Sequence, residues 1–214
     1  LTFDLQAPTP LDVVWTATDV TCAGECDGAV YVVVSGGAPG YDYFWTPAPA
    51  LGQGTPSASG FCPGSVLLTI TDVNGCDTTL TVPIGSPLPI DPQLTLSDAS
   101  CGGACDGTAS VAVSGGTGGW TYDWQPTPGS GQGTPVATDL CPGPYTLTVT
   151  DSVGCDTTIA FTIITPSGIT ATPQVTDASC ADICDGSIDL MISGGIPPYD
   201  LTWSPEPGGG QGTP

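Results

Sequence analysis

The residues of this chain best suited to chemistry are its ten cysteines, which follow a recurring pattern. Cys22 and Cys26 form a C-x3-C pair, Cys62 follows 36 residues after Cys26, and Cys76 follows 14 residues later. Four thiolates could hold a zinc ion, although zinc sites commonly use two short pairs of cysteines. An even count per repeat in a chain rich in glycine and proline instead favours disulfides in a secreted protein. We therefore expect disulfides, with a zinc site as the alternative.

The ionisable residues exclude several classes of function. The chain has 21 Asp and Glu residues and no Lys, Arg or His, which gives a formal net charge of −21. It therefore has no imidazole base, no Schiff-base amine and no guanidinium clamp for phosphate. Nucleic acid is excluded as a partner because its phosphates must be neutralised by Lys or Arg. No run of 18 apolar residues occurs, so direct membrane insertion is not expected.

Carboxylates at short spacing suggest calcium as a possible ligand. Oxygen ligands at alternate positions suit a hard cation, and the segment DVNGCD offers Asp72, Asn74, Gly75 and Asp77 as candidates. The second copy, DSVGCD at 151–156, has Val153 at the middle position, and a hairpin turn explains both copies. Acidic residues between repeats, such as Asp91 and Asp98, could also share calcium. We expect no cofactor, with calcium as the alternative.

A catalytic carboxylate pair is the remaining chemistry to consider. Glycoside hydrolysis needs two carboxyl groups facing each other across a cleft. Glu25 and Glu206 are the only glutamates, and no repeat carries an insertion that would form a cleft. We therefore expect the protein not to be an enzyme.

An internal repeat of 79 residues sets the organisation of the chain. CAGECDG begins at Cys22, CGGACDG at Cys101 and CADICDG at Cys180. The motifs SGG, GQGTP and GCDTT keep the same offset without gaps, as far as each copy extends. We predict that residues 1–10 are the last strand and linker of a preceding repeat, 11–88 the first repeat, 89–167 the second, and 168–214 a partial third.

Within each repeat, apolar residues alternate with the period of a β-strand. Val30, Val32 and Val34 share one face of a segment, and Tyr43 and Trp45 share a face of the next. Short strands rich in Thr and Val, separated by glycine-containing turns, indicate an antiparallel sandwich. A Trp in the third strand is typical of an immunoglobulin-like core. The predicted fold class is all-β: tandem immunoglobulin-like antiparallel β-sandwich repeats, joined by proline-rich segments into an elongated array.

The strand order of such a sandwich suggests cysteine pairs within each repeat. Strands B and F run parallel in this arrangement, so Cys26, ahead of strand B, lies at the same end as Cys62, ahead of strand F. We predict a bond between these two residues, and the matching bond between Cys105 and Cys141.

The remaining cysteines suggest a bond between repeats. Stacking two repeats head to tail brings Cys155 of the second towards Cys22 of the first, so we predict a disulfide between them. The alternative joins Cys22 to Cys76 inside one repeat. Cys76 and Cys101 complete the predicted set of disulfide cysteines.

The long loop at residues 46–64, TPAPALGQGTPSASGFCPG, returns in each repeat. We expect it to replace the edge strands D and E, the alternative being a displayed loop that contacts glycans or surfaces. Trp15 and Trp120 could stack on sugars if exposed, but a Trp at strand spacing is more often in the core.

The combination C-x3-CDG, SGG, Y-x-x-x-W and LCPGPYTLTVTDSVGC at 140–155 resembles the SprB repeat of Bacteroidetes surface proteins. The first repeat departs from it where Val66 replaces Tyr145. The resemblance implies a very large extracellular cell-surface adhesin, exported by the type IX secretion system and moved by gliding machinery. Adhesion or filament formation is the safer function to transfer. Its partners would be neighbouring repeats of the same chain and surface polysaccharide or other surface components.

Two further expectations accompany this resemblance. Asp77-Thr78-Thr79, Asp151-Ser152-Val153 and Asp156-Thr157-Thr158 look like the short pattern that Bacteroidetes use for O-glycosylation, so Thr78, Ser152 and Thr157 are candidate sites. The alternative function is a multivalent module that binds carbohydrate weakly or depends on calcium, with avidity supplied by repetition.

Overall fold

The computed structural model describes residues 9–181 and 183–209, and in those residues every regular element is a β-strand. The first repeat contains β1 (Asp12–Thr18), β2 (Gly28–Ser35), β3 (Asp42–Thr46), β4 (Ser57–Phe61), β5 (Gly64–Thr71) and β6 (Asp77–Ile84). The second contains β7 (Asp91–Ser97), β8 (Gly107–Ser114), β9 (Thr121–Gln125), β10 (Val136–Leu140), β11 (Gly143–Thr150) and β12 (Asp156–Ile163). The last two strands are β13 (Thr170–Thr176) and β14 (Ser187–Ser193).

The 79-residue period of the sequence is also the period of the strands. Each strand from β7 to β12 begins and ends 79 residues after its counterpart among β1 to β6, as Asp12 and Asp91 show. The predicted boundaries at 11–88, 89–167 and 168–214 stay predictions, and most of the strand predicted at 1–10 lies outside the described residues.

Each full repeat has two three-stranded sheets. Their strand orders are β1-β2-β4 and β3-β5-β6 in the first repeat, and β7-β8-β10 and β9-β11-β12 in the second; β13 pairs with β14. In immunoglobulin terms these are the A-B-E and C-F-G sheets. The predicted fold class, antiparallel immunoglobulin-like sandwich repeats, is therefore confirmed.

Contacts along the chain define two compact units. Unit 1 holds the described residues up to Pro92 together with Val113–Thr121 and Val149–Thr157. Unit 2 holds Gln93–Ala112, Tyr122–Thr148 and the described residues from Thr158 onwards.

The core of the first repeat follows from the strand alternation. Val30 and Val32 of β2 are buried, whereas Tyr31 and Val33 between them are exposed. Trp45 is 1% exposed and packs in the same cluster of buried side chains, which also takes alternate residues of β5 and β6. Because burial of each large apolar side chain contributes about 1.5–3 kcal/mol, the inward faces of the two sheets stabilise the sandwich together.

The prediction that the loop at 46–64 replaces strands D and E is wrong for strand E. Residues Ser57–Phe61 form β4, which pairs antiparallel with β2. Ala58 and Phe61 of this strand are buried. The segment SASGF does not predict a strand because its small residues show no apolar alternation. In the structure, a register shift also interrupts its pairing with β2.

Two glycines of the repeated motifs are required by close packing. A side chain on Gly28, the last residue of CDG, would place its Cβ 2.7 Å from Ile84 Cγ2 and 3.0 Å from the Phe61 oxygen. Gly36 of SGG has φ +75°, and a Cβ there would collide with the carbonyl of Pro10. These contacts explain why glycine recurs at both positions.

No helix in the described ranges is long and apolar enough to cross a lipid bilayer.

Candidate functional site: disulfides and held carboxylates

One disulfide in each full repeat joins its two sheets. Cys26 precedes β2 and is bonded to Cys62, which precedes β5. Cys105 and Cys141 make the same bond ahead of β8 and β11. In both repeats the bond ties the start of a strand in one sheet to the start of a strand in the other.

A third disulfide, between Cys22 and Cys155, joins positions 133 residues apart. Cys22 lies in the loop between β1 and β2, and Cys155 lies in the turn between β11 and β12; both belong to unit 1. The alternative bond between Cys22 and Cys76 is not formed. A cleft of about 390 Å³ borders the bond and is lined on one side by Ala23 and Glu25.

The prediction that Cys76 and Cys101 form disulfides is corrected by the structure, in which both cysteines are unbonded and exposed. Cys101 has the place in its repeat that Cys22 has in the first, so a partner 133 residues further on would be at position 234. Cys76 has the place in the first repeat that Cys155 has in the second. Cys180 and Cys184 are also unbonded and exposed.

The disulfides of the first repeat do not leave its four thiolates together for zinc, and the expectation of no metal stays a prediction. A zinc site would need the four thiolates of one repeat to converge. Cys26 is instead bonded to Cys62, and Cys22 is bonded to a cysteine of the next repeat.

Asp72 is a buried carboxylate held by backbone N–H groups. Its Oδ2 accepts from Ala38 at 3.0 Å, and its Oδ1 accepts from Asn74 and Cys76, both at 2.9 Å. The Ala38 N–H does most to keep the pKa of Asp72 below its ordinary value, and the N–H of Cys76 acts in the same direction. These donors supply the stabilisation that a lysine or arginine would give elsewhere.

Asp151 repeats this arrangement one period later. It accepts from the N–H groups of Thr117 at 2.9 Å, Val153 at 3.1 Å and Cys155 at 2.9 Å, and the Thr117 N–H contributes most to lowering its pKa. In both copies the carboxylate closes a hairpin turn and its oxygens already accept N–H groups. This geometry is that of the expected hairpin turn, and calcium binding at these turns stays a prediction.

Other acids form further recurring links. Asp19 accepts from the Gly85 N–H at 2.6 Å, and Asp98, considered above as a calcium ligand between repeats, accepts from the Ile164 N–H at 3.0 Å. The Asp27 carboxylate accepts from both the hydroxyl and the N–H of Thr21, and the hydroxyl contributes most to lowering the pKa of Asp27. Sequence reasoning missed these roles, although the recurrence of each Asp at the 79-residue offset was a visible signal.

The GQGTP motif closes over the core tryptophan. The Trp45 N–H donates to Gln53 Oε1 at 3.2 Å, and its Nε1 donates to the Thr55 carbonyl at 3.0 Å. The Thr55 hydroxyl lies 2.9 and 2.7 Å from the carbonyl oxygens of Gly52 and Ser57. In the second repeat, the backbone N–H and the Nε1 of Trp124 donate in the same way to Gln132 Oε1 and the Thr134 carbonyl. The GQGTP motif therefore forms hydrogen bonds to the core tryptophan of its own repeat. A loop that served only to contact other molecules would not need these bonds.

The other tryptophans and the candidate glycosylation residues lie nearer the surface. Trp15 is 40% exposed on β1, and Trp120 is half-buried. Ser152 is exposed and its hydroxyl donates to the Thr117 carbonyl at 2.6 Å. Thr78 and Thr157 are half-buried, and Thr157 lines the cleft beside the Cys22–Cys155 bond. Glycosylation of these three residues stays a prediction.

A family model described as the SprB repeat matches residues 15–50, 94–129 and 172–208. Among solved structures, the chain is similar to a C-terminal 282-residue fragment of intimin in complex with the intimin-binding domain of the translocated intimin receptor. That likeness has 17% identity, covers 78% of this chain and 67% of the other, and has a TM-score of 0.30, too low for any conclusion. No curated protein matches the chain.

Proposed function

The chain belongs to the SprB repeat family, and from this we propose that it is a structural and adhesive segment of a large secreted cell-surface filament or adhesin. The observation that carries the proposal is the covalent link between successive repeats, in which Cys22 is bonded to Cys155. A bond across 133 positions bypasses most of the chain, so tension applied to its ends does not stretch the bypassed residues. This property suits a fibre that works under load.

Stretching single molecules tests the mechanical part of the proposal. With the bond intact, the 133 peptide units between Cys22 and Cys155 stay hidden from the applied force. Reduction should release about 480 Å of contour length, at ~3.6 Å per residue. The Cys22→Ser/Cys155→Ser variant is the matched control and should extend further than the parent before reduction. Equal extension of the two oxidised proteins would contradict the proposal.

Adhesion is tested on beads that carry the whole chain. Under shear, coated beads should be retained on glass or on immobilised polysaccharide more than beads coated with an unrelated acidic protein. Retention no higher than this control would remove the adhesive part of the proposal and leave the structural part.

We further propose that the protein is extracellular and reaches the cell surface through the type IX secretion system, where it serves attachment or gliding. Disulfides persist in oxidising surroundings, which supports the location. Antibody against the chain should label intact, unpermeabilised cells that produce it. Labelling seen only after permeabilisation would overturn this location.

The exposed Trp15 favours one second candidate, weak multivalent carbohydrate binding, because an exposed aromatic ring can stack on a sugar. A glycan array probed with the chain in calcium, and again in magnesium at equal ionic strength, tests it. Binding that Trp15→Ala abolishes would support this function, and a calcium-specific signal would support the calcium-dependent form. An array without signal would exclude both.

A further inference from the structure

Unit 1 contains the same surface twice, once in each repeat. The first copy, here called the Cys76 face, consists of residues 9–11, Gly37 and the β5–β6 turn with Cys76 and Thr78. The second copy, the Cys155 face, consists of residues 88–90, Gly116 and the β11–β12 turn with Cys155 and Thr157.

The two faces share one backbone framework. The Gly37 N–H donates to the Thr9 carbonyl at 2.8 Å, and the Gly116 N–H donates to the Leu88 carbonyl at 2.9 Å. Each turn is closed by a carboxylate that accepts backbone N–H groups. Because the framework is the same, a segment that fits one face has the shape to fit the other.

Among the residues that the structure describes, a loop lies against the Cys155 face and none lies against the Cys76 face. The loop beginning at Cys22 lies against it, with Cys22 bonded to Cys155 and with Ala23 and Glu25 lining the shared cleft. At the Cys76 face, the described residues that line the equivalent cleft of about 280 Å³ all belong to that face, and Cys76 is an exposed thiol.

The second C-x3-C loop, which begins at Cys101, shares its local geometry with the loop that begins at Cys22 and lies against the Cys155 face. The Ala104 N–H donates to the Cys101 carbonyl at 3.1 Å, as the Glu25 N–H does to Cys22. The third residue of each loop is a glycine with φ of +86° or +87°. Asp106 holds the Ser100 N–H at 2.9 Å, as Asp27 holds that of Thr21. Cys101 at the start of this loop is exposed and unbonded.

We propose that the Cys76 face is a docking site for the C-x3-C loop of another SprB repeat, and that a second copy of this chain can supply it through Cys101. Docking is followed by a disulfide between Cys76 and Cys101. The oxidant is a small-molecule disulfide such as oxidised glutathione: the two protein thiols become one disulfide, and the two sulfurs of the oxidant leave as two thiols. The bond is directional, because each repeat offers one loop and one face.

Two complementary variants of the whole chain test this direction. The face-only protein carries Cys101→Ser, Cys180→Ser and Cys184→Ser, and the loop-only protein carries Cys76→Ser, Cys180→Ser and Cys184→Ser. Both keep the three disulfides, and one carries a tag that changes its size. Each is incubated alone, then with the other, in a glutathione redox buffer with added salt to screen repulsion.

We expect each protein alone to stay mainly monomeric and the mixture to form a disulfide-linked heterodimer. Chymotryptic mapping, needed because trypsin has no site in the chain, should then find the Cys76 peptide joined to the Cys101 peptide. A mixture that stays monomeric, or self-linking of either protein as readily as the mixture, would overturn the proposal.

A change beside Cys76 separates docking from simple thiol reactivity. Thr78→Trp fills the cleft on the Cys76 face, whereas Thr81→Trp alters an exposed position of β6 outside it. In the face-only protein, Thr78→Trp should slow heterodimer formation at least tenfold and leave the rate of Cys76 alkylation by iodoacetamide unchanged. Thr81→Trp should change neither rate. Equal heterodimer rates for the two variants would show that no docking precedes the bond.

Discussion

Asp72 illustrates how this chain uses its acids without any basic side chain. Its carboxylate is 5% exposed and accepts three backbone N–H groups from two segments of the first repeat. An unpaired charge at such a site would be costly, and charge-assisted hydrogen bonds offset that cost. The acids that give the chain its negative charge are thus partly structural.

The lowered pKa of Asp72 predicts how stability responds to acid. The folded-state pKa lies below the unfolded value of about 3.9, so the contribution of Asp72 is complete above that value. It is lost as the pH falls through the lower, folded-state pKa. Asp72→Asn should therefore lower the melting temperature at pH 7 and flatten its fall in acid. Asp12→Asn, at an exposed position, is the control; the same acid profile for Asp72→Asn and the parent would refute this role.

Residue 41 of the first repeat and residue 120 of the second give a second test at this scale. The Tyr41 hydroxyl donates to the Gly36 carbonyl at 2.6 Å. Trp120 has the equivalent place, and within the described part of the chain its Nε1 is buried without a hydrogen-bond partner. Tyr41→Phe should lower the free energy of unfolding by about 1 kcal/mol, whereas Trp120→Tyr should raise it by up to about 1 kcal/mol. Urea denaturation of both variants checks these opposite signs.

At the scale of elements, the loop between β3 and β4 completes the core. The Thr55 carbonyl accepts the indole N–H of Trp45, and the Thr55 hydroxyl donates to carbonyls of the loop and of the first residue of β4. The Val32 N–H donates to the Pro56 carbonyl at 2.9 Å, which connects the loop to β2. The GQGTP segment therefore joins a strand of each sheet.

Removing the Thr55 hydroxyl should loosen this loop. Thr55→Val keeps the volume but loses the hydrogen bond, so we expect a loss of about 1 kcal/mol in the free energy of unfolding. Urea denaturation followed by tryptophan fluorescence measures it, because Trp45 lies beneath the loop. Thr16→Val, on an exposed position of β1, is the matched control. A loss no greater than that of the control would show that the hydroxyl is unimportant.

At the scale of the whole molecule, every charged side chain is negative. The chain has 21 acids and no Lys, Arg or His, so its charged side chains only repel one another. Added salt weakens these repulsions. Raising NaCl from ~0.01 to ~0.3 M should therefore raise the melting temperature by a few degrees. Replacing the exposed Asp12, Asp42 and Asp77 by Asn should reduce this rise. A melting temperature that falls with salt would contradict the explanation.

The Cys22–Cys155 bond closes the longest covalent loop among the three bonds of the described structure. Cross-linking a loop of this length restricts the unfolded chain by up to about 5 kcal/mol. Cys22→Ser/Cys155→Ser should therefore melt at a lower temperature than the parent under oxidising conditions, and the difference should vanish under reducing conditions. Peptide mapping without reductant should recover Cys22 joined to Cys155. Recovery of Cys22 joined to Cys76 would refute the bond.

Local patterns in the sequence determined the strands, their buried faces and the 79-residue period. Val30, Val32 and Val34 recur with period 2, and such spacing of apolar residues predicts the buried face of a strand without knowledge of the fold. β4 escaped because Ser, Ala and Gly carry no such signal.

What only the tertiary structure decided are the contacts between separate segments. Asp72 meets the Ala38 N–H across 34 positions, and Thr55 meets the Trp45 indole across ten. Hydrogen bonds depend on distances of about 3 Å between atoms, which a pattern of residue types does not specify. The sequence by itself therefore determined that the acids and the GQGTP motif recur. The folded chain decided that both act inside the repeat, because only folding brings their donors and acceptors together.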